Sequence, residues 1–300
     1  GHPALFSPLP EAHQRALSRL EKSAQIAGFE EIVFCPEPVA AAHNFAKSLT
    51  SEKIVLVADF GGGTSDFTII RLRPEGFSES DVLSLGGISL AGDAFDGTIM
   101  EHAVAPFFGS KINFRMPMGS NTLNLPKALV RKLCSPADLM LLGKKEYIEF
   151  FKNIQQWSTD KNESLAIERL ELLIEERQGY HLFESIEDGK KMLSSHPIAN
   201  VNYQYPGIDL NIDFDKAEFD LFSSKTIEAI LGTLDKTVEE SGLSYAEIDI
   251  VCCTGGTARI PALAAGLADR LGAAKLELHL PFHAVVNGLA EKAYQLAKES

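Results

Sequence analysis

The segment IVLVADFGGGTSDFTII, residues 54–70, constrains the fold of this chain more than any other part of its sequence. Two apolar runs, each long enough for a β-strand, lie on either side of three consecutive glycines. We interpret the segment as two neighbouring strands joined by a glycine turn, because glycine tolerates positive φ and lets the backbone approach an external group. The successive N–H groups of such a turn form a nest that binds anions such as phosphate. The alternative is an ordinary glycine-rich hairpin with solvated aspartates.

The residues that flank this turn suit a phosphate group and its cation. Asp59, at the end of the first run, has a carboxylate that can hold hydrated Mg²⁺, and Thr64 adds a hydroxyl donor at the rim. The turn is not a Walker A loop, because no lysine follows it, and not a dinucleotide fingerprint, because it joins strand to strand. The candidate phosphate-binding residues are Gly61, Gly62, Gly63 and Thr64.

A second glycine turn, CCTGGTARIP at residues 252–261, follows another apolar run. It leads into a predicted helix that has a proline in its first turn. Its glycines let a flat ligand approach the backbone, and the guanidinium of Arg259 can stack on an adenine face. A tight strand-to-helix turn without a ligand is the alternative interpretation. The candidate base-binding residues are Gly255, Gly256, Thr257 and Arg259.

The remaining pattern predicts an α/β core with a helical insertion. A first helix of about five turns is expected to end at Gly28, and the apolar run over 30–38 is expected to form a buried strand. The Gly-Gly pair at residues 86–87 is expected to end the last of three strands that follow this segment. The segment 107–220 is more polar, and its periodicity indicates an inserted, mostly helical subdomain. Three successive strands are predicted at 53–59, 66–73 and 81–85.

Charge and composition exclude several classes of partner. The net charge of −13 repels phosphodiester backbones, so nucleic acid is not an expected partner. No apolar run approaches the roughly 20 residues of a membrane span, so a membrane is not expected either. The four cysteines have neither a metal-binding spacing nor a disulfide framework, which favours buried thiols in a reducing cytoplasm. Because the sequence does not begin with methionine, we expect it to be a piece of a longer protein.

Four motifs, in this order and spacing, resemble the nucleotide-binding domain of the DnaK-type heat-shock chaperones, and its short YegD-type members in particular. They are EPVAAA, DFGGGTSD, GGISLAGDAFD and TGGTARIP. The resemblance implies an actin-like ATPase fold, which is an α/β, ribonuclease H-like fold with a mixed sheet flanked by helices and an inserted, mostly helical subdomain. It divides the chain into a remnant of the first ATPase lobe at 1–50, a second-lobe core at 51–106 and 219–281, the inserted helical subdomain at 107–218, and a closing helix at 282–300.

The resemblance also implies roles for individual residues. Asp59, Thr64 and Asp66 match catalytic positions beside the β- and γ-phosphates of the nucleotide. Asp59 and Glu37 match the residues that reach Mg²⁺, the second of them through water. For Glu37, an acid favoured by the dipole at a helix N-terminus is the alternative. The motif TGGTARIP matches the family's adenosine site.

Part of the inserted subdomain, ESIEDGKKMLSS, resembles the helix that closes over the adenosine in this family. A solvated, charged helix face is the alternative interpretation. The start of the motif AGDAFD resembles a helix below the phosphates, which makes Gly92 and Asp93 second-rank candidates. The implied ribose and base contacts are Glu187, Lys190, Lys191 and Ser194.

The implied function is binding of ATP or ADP with Mg²⁺, and ATP hydrolysis that drives lobe closure in a cytoplasmic, chaperone-like protein of the stress response. Client or co-chaperone proteins are the further partners it implies. The alternatives are a sugar- or acetate-kinase-like phosphotransferase of the same superfamily and a non-catalytic, nucleotide-gated interaction module.

Two departures from the family pattern affect these expectations. The family's first phosphate loop has no counterpart in the sequence, so we expect residues 1–300 alone to hydrolyse ATP at no more than a background rate. Phe282 stands where other members have an aspartate close to the nucleotide.

Overall fold

The chain divides into two compact units, residues 1–92 with 226–300 and residues 93–225, which we call unit 1 and unit 2. The computed structural model describes residues 1–4, 6, 9–46, 49–74, 79–117, 119–158, 160–277 and 284–299. The strands are β1 (Lys53–Phe60), β2 (Ser65–Leu72), β3 (Val82–Ile88), β4 (Asn113–Phe114), β5 (Leu123–Asn124), β6 (Ile198–Tyr205), β7 (Ile208–Asp215), β8 (Ile250–Thr254) and β9 (Leu276–Glu277). The helices are α1 (Pro10–Ile26), α2 (Glu37–Ala46), α3 (Gly92–Ile99), α4 (Lys127–Leu133), α5 (Lys145–Trp157), α6 (Lys161–Glu175), α7 (Gly179–Met192), α8 (Lys216–Glu240), α9 (Pro261–Leu271) and α10 (Ala284–Glu299).

Unit 1 is built on a five-stranded mixed sheet in the order β3-β2-β1-β8-β9. β2 pairs antiparallel with both β1 and β3, while β8 runs parallel to both β1 and β9. Residues 55–58 of β1 are buried, as expected for a central strand that is covered on both faces. The strands predicted at 53–59 and 66–73 are confirmed, and so is an α/β fold with a mixed sheet flanked by helices.

Helices cover both faces of this sheet. On one face, Ala41 and Ala42 of α2 belong to a buried cluster with Val55 and other apolar residues of the sheet. On the other face, α8 lies against β3, where Ser84 Oγ donates a hydrogen bond to the Thr237 carbonyl at 2.8 Å. The small alanine side chains explain why a short helix can lie close to the central strands.

The third strand is longer than the sequence predicted. The Gly-Gly pair that we expected to end it lies inside β3, where Gly86 pairs with Phe67 and Gly87 pairs with Asp66. The predicted turn was wrong because Gly86 allows a helix to pack on the strand. A Cβ at this position would lie 1.9 Å from Oγ1 of Thr237 on α8. Here glycine marks a close approach between two elements.

Residues 30–38 do not form the buried strand that their apolar composition predicted. Among the described residues, this segment makes one isolated bridge, between His2 and Pro36, and belongs to no strand. Val33 is 63% exposed, and α2 already begins at Glu37. The prediction failed because a strand requires a hydrogen-bonded neighbour, and an apolar run does not reveal whether one is present.

Unit 2 is mostly helical, but it also holds an antiparallel hairpin that we did not predict. β6 and β7 pair over their whole length, from Ile198 opposite Asp215 to Tyr205 opposite Ile208. α7 packs on β6, which buries alternate residues of this strand. The alternation and the glycine at position 207 were signals present in the sequence, and in the structure Gly207 has a φ of +88°.

The last predicted elements fall partly outside the described residues. α10 begins at Ala284, within the closing helix predicted at 282–300. Phe282 lies outside the described residues. Of the helices in the described ranges, none is both long enough and apolar enough to cross a membrane.

Candidate functional site

The first glycine turn connects β1 to β2, as the sequence predicted. Asp59 lies directly opposite Asp66, and the Gly61 N–H donates to the Thr64 carbonyl at 2.9 Å to close the turn. The three glycines of the turn are exposed. In the described part of the chain, the N–H groups of Gly62 and Gly63 donate no hydrogen bond. The turn therefore presents two backbone donors to an incoming ligand.

The conformation that we expected for the glycines of the first turn was wrong in one respect. We expected them to permit positive φ, yet neither Gly61 nor Gly63 has a φ in the left-handed region. Apart from its chain neighbours, no atom lies within 4 Å of the position that a Cβ of Gly63 would take. The glycines therefore keep the backbone bare, so that a ligand can reach the N–H groups without meeting a side chain.

The second glycine turn lies against the first because β8 is parallel to β1. The register pairs Asp59 with Thr254, and Thr254 Oγ1 donates a hydrogen bond to Asp59 Oδ1. Gly255 follows with a φ of +84°, and a Cβ there would lie 1.9 Å from the Phe60 carbonyl oxygen. Both the φ and the close approach require glycine at 255.

The Gly61 carbonyl oxygen is the point at which three motifs meet. It accepts a hydrogen bond from the Gly92 N–H at the start of α3, at 3.3 Å. It also accepts one from Oγ1 of Thr257, in the second glycine turn, at 3.4 Å. Thr257 is buried, so its hydroxyl faces the protein. The structure thus brings together both glycine turns and Gly92, the first residue of α3.

Asp59 and Glu37 form a pair of carboxylates in unit 1. Glu37 is the first residue of α2. Burial raises its pKa above the ordinary value, and the negative charge of Asp59 raises it further. The negative charge of Asp59 therefore acts on Glu37, and a bound cation would offset it.

This pair of acids fits Mg²⁺ that is bound together with phosphate. Within the described residues, no group of three or more His, Cys, Asp or Glu side chains could hold a metal ion. A metal centre made of protein ligands alone is therefore not supported there. Mg²⁺ usually keeps several waters and takes one or two carboxylates plus the phosphates of a substrate. Asp59 and Glu37 supply two carboxylates of this kind, and Asp59 lies on the strand that leads into the open turn.

Asp66 lies in a different environment from Asp59. Asp66 is buried, at 3% exposure, whereas Asp59 is half-buried. Because the two residues are directly opposite each other in an antiparallel pair, their side chains lie on the same face of the sheet. Thr64 is half-buried at the rim of the turn. The catalytic roles assigned to these three residues stay predictions.

The four candidates on and after α7, in unit 2, do not share one environment. Lys190 Nζ lies 2.8 Å from Oδ1 of Asp96 on α3, and their side chains are only 11% and 10% exposed. Lys191 instead pairs with Glu187 at 3.1 Å on the exposed surface. Ser194 is exposed just after the end of the helix. Glu187, Lys191 and Ser194 are spaced as one helical face, and Lys190 points elsewhere.

Asp96 forms a buried ion pair that the sequence did not reveal. Burial raises its pKa to about 6, the Lys190 ammonium opposes that shift, and Glu187 and Asp93 add smaller raising effects. The AGDAFD motif contains this aspartate, yet the motif alone does not indicate which residue neutralises it. The partner is a lysine that we had assigned to the nucleotide.

Arg259 contrasts with Lys190. It is exposed at the end of a short 3-10 turn, residues 256–259. Within the ranges that the structure describes, it makes no hydrogen bond or ion pair. Its guanidinium is therefore available to a ligand.

A family model matches the chain over more than half of its length. The family is described as Hsp70 protein, and the matched residues are 11–118 and 151–296. These ranges include both glycine turns, the start of α3, Glu37, and the candidates on α7.

Proposed function

The chain belongs to the Hsp70 family, and from that premise we propose that it binds Mg-ATP, hydrolyses it, and couples hydrolysis to closure of the ATPase lobes in a chaperone-like protein. The family match supports a chaperone-like domain that binds nucleotide, generally with Mg²⁺. Hydrolysis and lobe closure are the further steps of the proposal. Client and co-chaperone proteins are the partners it implies, and a cytoplasmic role in the stress response belongs to the same proposal.

The observation that carries the proposal is the meeting of two glycine turns at one end of the sheet. The turn after β1 and the turn after β8 are far apart in sequence, yet Thr257 and Gly92 both donate to the Gly61 carbonyl. Ligands of open α/β sheets bind beyond the carboxyl ends of the strands. An exposed turn at that edge, whose N–H groups at Gly62 and Gly63 donate to no residue in the described ranges, is suited to a polyphosphate.

The phosphate role follows from the groups that this turn exposes. The N–H groups of Gly62 and Gly63 are proposed to donate to phosphate oxygens, with the Thr64 hydroxyl as a third donor. Asp59 is proposed to bind Mg²⁺ directly or through water, and Glu37 through water. Bound Mg²⁺ would neutralise charge on the phosphates. The half-buried position of Asp59 supports this role, because the residue is partly accessible to solvent.

Hydrolysis requires these residues to position a water molecule. Phosphoryl transfer depends mainly on positioning and on charge stabilisation, so few covalent steps fall to the protein. The carboxylates of Asp59 and Asp66 are proposed to accept hydrogen bonds from the attacking water. The Thr64 hydroxyl is proposed to donate to the phosphoryl group.

Within unit 1, nucleoside contacts are proposed for Arg259, Gly255 and Gly256. The exposed guanidinium of Arg259, which makes no ion pair with any residue that the structure describes, supports stacking on the base. On α7, the exposed face of Glu187 and Lys191 is better suited to a ligand than Lys190. The charge of Lys190 is already paired with that of Asp96.

Calorimetric titration of ATP into the full-length protein, with and without Mg²⁺, tests the binding proposal. We expect Mg²⁺ to strengthen binding, and Asp59→Asn to remove most of that gain because a neutral amide replaces the carboxylate. Asp269→Asn is the matched control, since Asp269 is an exposed acid of α9 with no hydrogen bond or ion pair among the described residues. Equal Mg²⁺ dependence in Asp59→Asn and the unchanged protein would contradict the metal role.

Phosphate release without an added acceptor tests the reaction. We expect Mg²⁺-dependent release of phosphate to water by the full-length protein. If phosphate instead appeared only on a sugar or acetate acceptor, the phosphotransferase alternative would replace the hydrolysis proposal.

A further inference from the structure

Asp59 has a hydrogen-bond partner that the sequence motifs did not indicate. Thr254 Oγ1 donates a hydrogen bond to Oδ1 of Asp59, across 195 residues of sequence. Among the residues that the structure describes, this hydroxyl is the only hydrogen-bond donor to the Asp59 side chain. The other carboxylate oxygen, Oδ2, is therefore left for a ligand or for water.

The sheet itself maintains this contact. Asp59 and Thr254 are register partners in the parallel pairing of β1 with β8, next to the ends of both strands. Immediately afterwards, Gly255 lies so close to Phe60 that a Cβ would lie 1.9 Å from its carbonyl oxygen. The position of Thr254 relative to Asp59 is thus fixed by backbone pairing on one side and by a backbone contact on the other.

Threonine is suited to orient a carboxylate at this position. Its β-branched side chain has few χ1 rotamers, so the hydroxyl is held in place, and a hydrogen bond to a charged acceptor is stronger than one between neutral groups. Groups that orient a ligating carboxylate commonly affect metal affinity as strongly as 10–100-fold. Thr254 is only half-buried, yet its hydroxyl is directed to the acid.

We propose that Thr254 is a positioning residue that fixes the Asp59 carboxylate so that Oδ2 faces the cation of the bound nucleotide. This proposal rests on the proposed Mg-ATP function. It assigns Thr254 no contact with the nucleotide or with Mg²⁺, and its effect is exerted through Asp59 alone. Replacing the hydroxyl by a methyl group leaves the branched shape and frees the carboxylate to rotate.

The test is a Mg²⁺ titration of ATP binding with the full-length protein and its Thr254→Val and Thr254→Ser variants. We expect Thr254→Val to need about 10-fold more Mg²⁺ for half-saturation, while ATP binding in excess chelator stays unchanged. Thr254→Ser restores the hydroxyl and is expected to lie within about 3-fold of the unchanged protein. A merely structural role would not produce this rescue together with a selective change in Mg²⁺ dependence.

Thr68→Val is the matched control. Thr68 lies on β2 of the same sheet and is fully buried, and within the described residues its hydroxyl has no hydrogen-bond partner. The same loss of a hydroxyl at this position is expected to leave the Mg²⁺ dependence unchanged. If Thr254→Val does not fold, Thr254→Ala replaces it, with thermal unfolding recorded for every variant.

A double-mutant cycle locates the effect. In the Asp59→Asn background, Thr254→Val is expected to change the Mg²⁺ dependence by less than about 2-fold, because the group it orients is gone. An undiminished effect in that background would overturn the proposal, as would unchanged Mg²⁺ dependence in Thr254→Val alone or failure of serine to rescue. If the unchanged protein showed no Mg²⁺-dependent ATP binding, the proposed function and this inference would both be overturned. If the unchanged protein bound ATP in a Mg²⁺-dependent way and Thr254→Val showed the same Mg²⁺ dependence, only this inference would be overturned.

Discussion

The turn that joins β1 to β2 in unit 1 and the charged residues of α7 in unit 2 were both assigned to the nucleotide from sequence, but the structure treats them differently. Around the turn, the candidates stay together, and the backbone carbonyl of Gly61 accepts hydrogen bonds from the Gly92 N–H and the Thr257 hydroxyl. On α7, the candidates separate, because Lys190 pairs with Asp96 while Lys191 stays on the surface.

The difference comes from the kind of group that makes the contact. A glycine turn acts through backbone groups, whose positions are set by strand pairing and by the absence of a Cβ. A lysine has a long, flexible side chain, so its partner depends on which acid the tertiary fold brings near. Sequence motifs therefore locate backbone sites more securely than they locate the ends of long side chains.

The largest effect that would sharpen this comparison is expected from Gly255→Ala. The left-handed φ and the 1.9 Å approach to the Phe60 carbonyl together leave no room for a methyl group. We expect the free energy of unfolding to fall by more than about 4 kcal/mol, which is exceptional for one methyl group. Urea unfolding measures it, with Gly256→Ala as the control, because a Cβ there meets no atom within 4 Å. A loss below about 1 kcal/mol for both variants would show that the turn tolerates side chains.

On α7, the corresponding change is Lys190→Met, which would leave the buried Asp96 carboxylate without the lysine ammonium that pairs with it. Removing one partner of a buried pair typically costs about 3 to 5 kcal/mol, and we expect a loss of stability of about 3 kcal/mol at pH 7. Lys191→Met should change stability by less than about 0.5 kcal/mol, because its pair is exposed. Urea unfolding of the two variants side by side distinguishes the lysines. Equal losses would mean that the two are not in different environments.

The pH dependence of stability gives a second test of the buried pair. The pKa of Asp96 is raised from 3.8 to about 6, mainly by burial, so the folded state binds more protons than the unfolded state between these values. The contribution of Asp96 to stability is therefore greatest below pH 4 and is lost as the pH rises through 6. The loss amounts to roughly 3 kcal/mol.

Asp96→Asn should remove this part of the pH dependence, because the amide does not titrate. Unfolding curves at several pH values between 4 and 7 compare the variant with the unchanged protein. Lys190 on α7 lowers the Asp96 pKa, whereas Glu187 and Asp93 raise it. Asp93→Asn serves as the control, because it removes only a small contribution to the Asp96 pKa and should change the pH dependence of stability less. The same pH dependence with and without the Asp96 carboxyl group would contradict this account.

These cases show which parts of the fold could be predicted from the sequence. The pattern of residues 53–73 predicted two strands and the turn, because alternation and glycine are local signals. It did not predict that Gly86 lies inside β3, since the reason is Thr237 of α8, which is distant in sequence. The β6–β7 hairpin was missed although its alternation was visible, because the polar helices around it dominated the pattern of that region.

The candidate site divides in the same way. Asp59 and the glycines could be named from sequence, and the structure places them at one edge of the sheet. The Thr254 hydroxyl on Asp59 could not be named, because it depends on the register of two parallel strands. Nor could the pairing of Lys190 with Asp96, which depends on how α3 and α7 pack within unit 2.

The smallest effect is expected from Arg259→Ala, and it concerns binding rather than stability. An exposed guanidinium that has no partner among the described residues should contribute little to folding, but about 1 to 2 kcal/mol to adenine nucleotide affinity if it stacks on the base. Calorimetric titration of ATP and of inorganic triphosphate separates the two roles. A loss of the same size for both ligands would assign Arg259 to the phosphates instead.

The most direct test of the central claim, that the turn after β1 binds the phosphates of Mg-ATP, is amide hydrogen exchange at Gly62 and Gly63. These N–H groups donate no hydrogen bond within the described residues, so they should exchange rapidly in the free protein. At ATP concentrations ten times the Kd, in Mg²⁺, we expect exchange at both to slow by up to about 10-fold, with no change at Gly207 in the hairpin of unit 2. Unchanged exchange at Gly62 and Gly63 under saturating Mg-ATP would contradict the account.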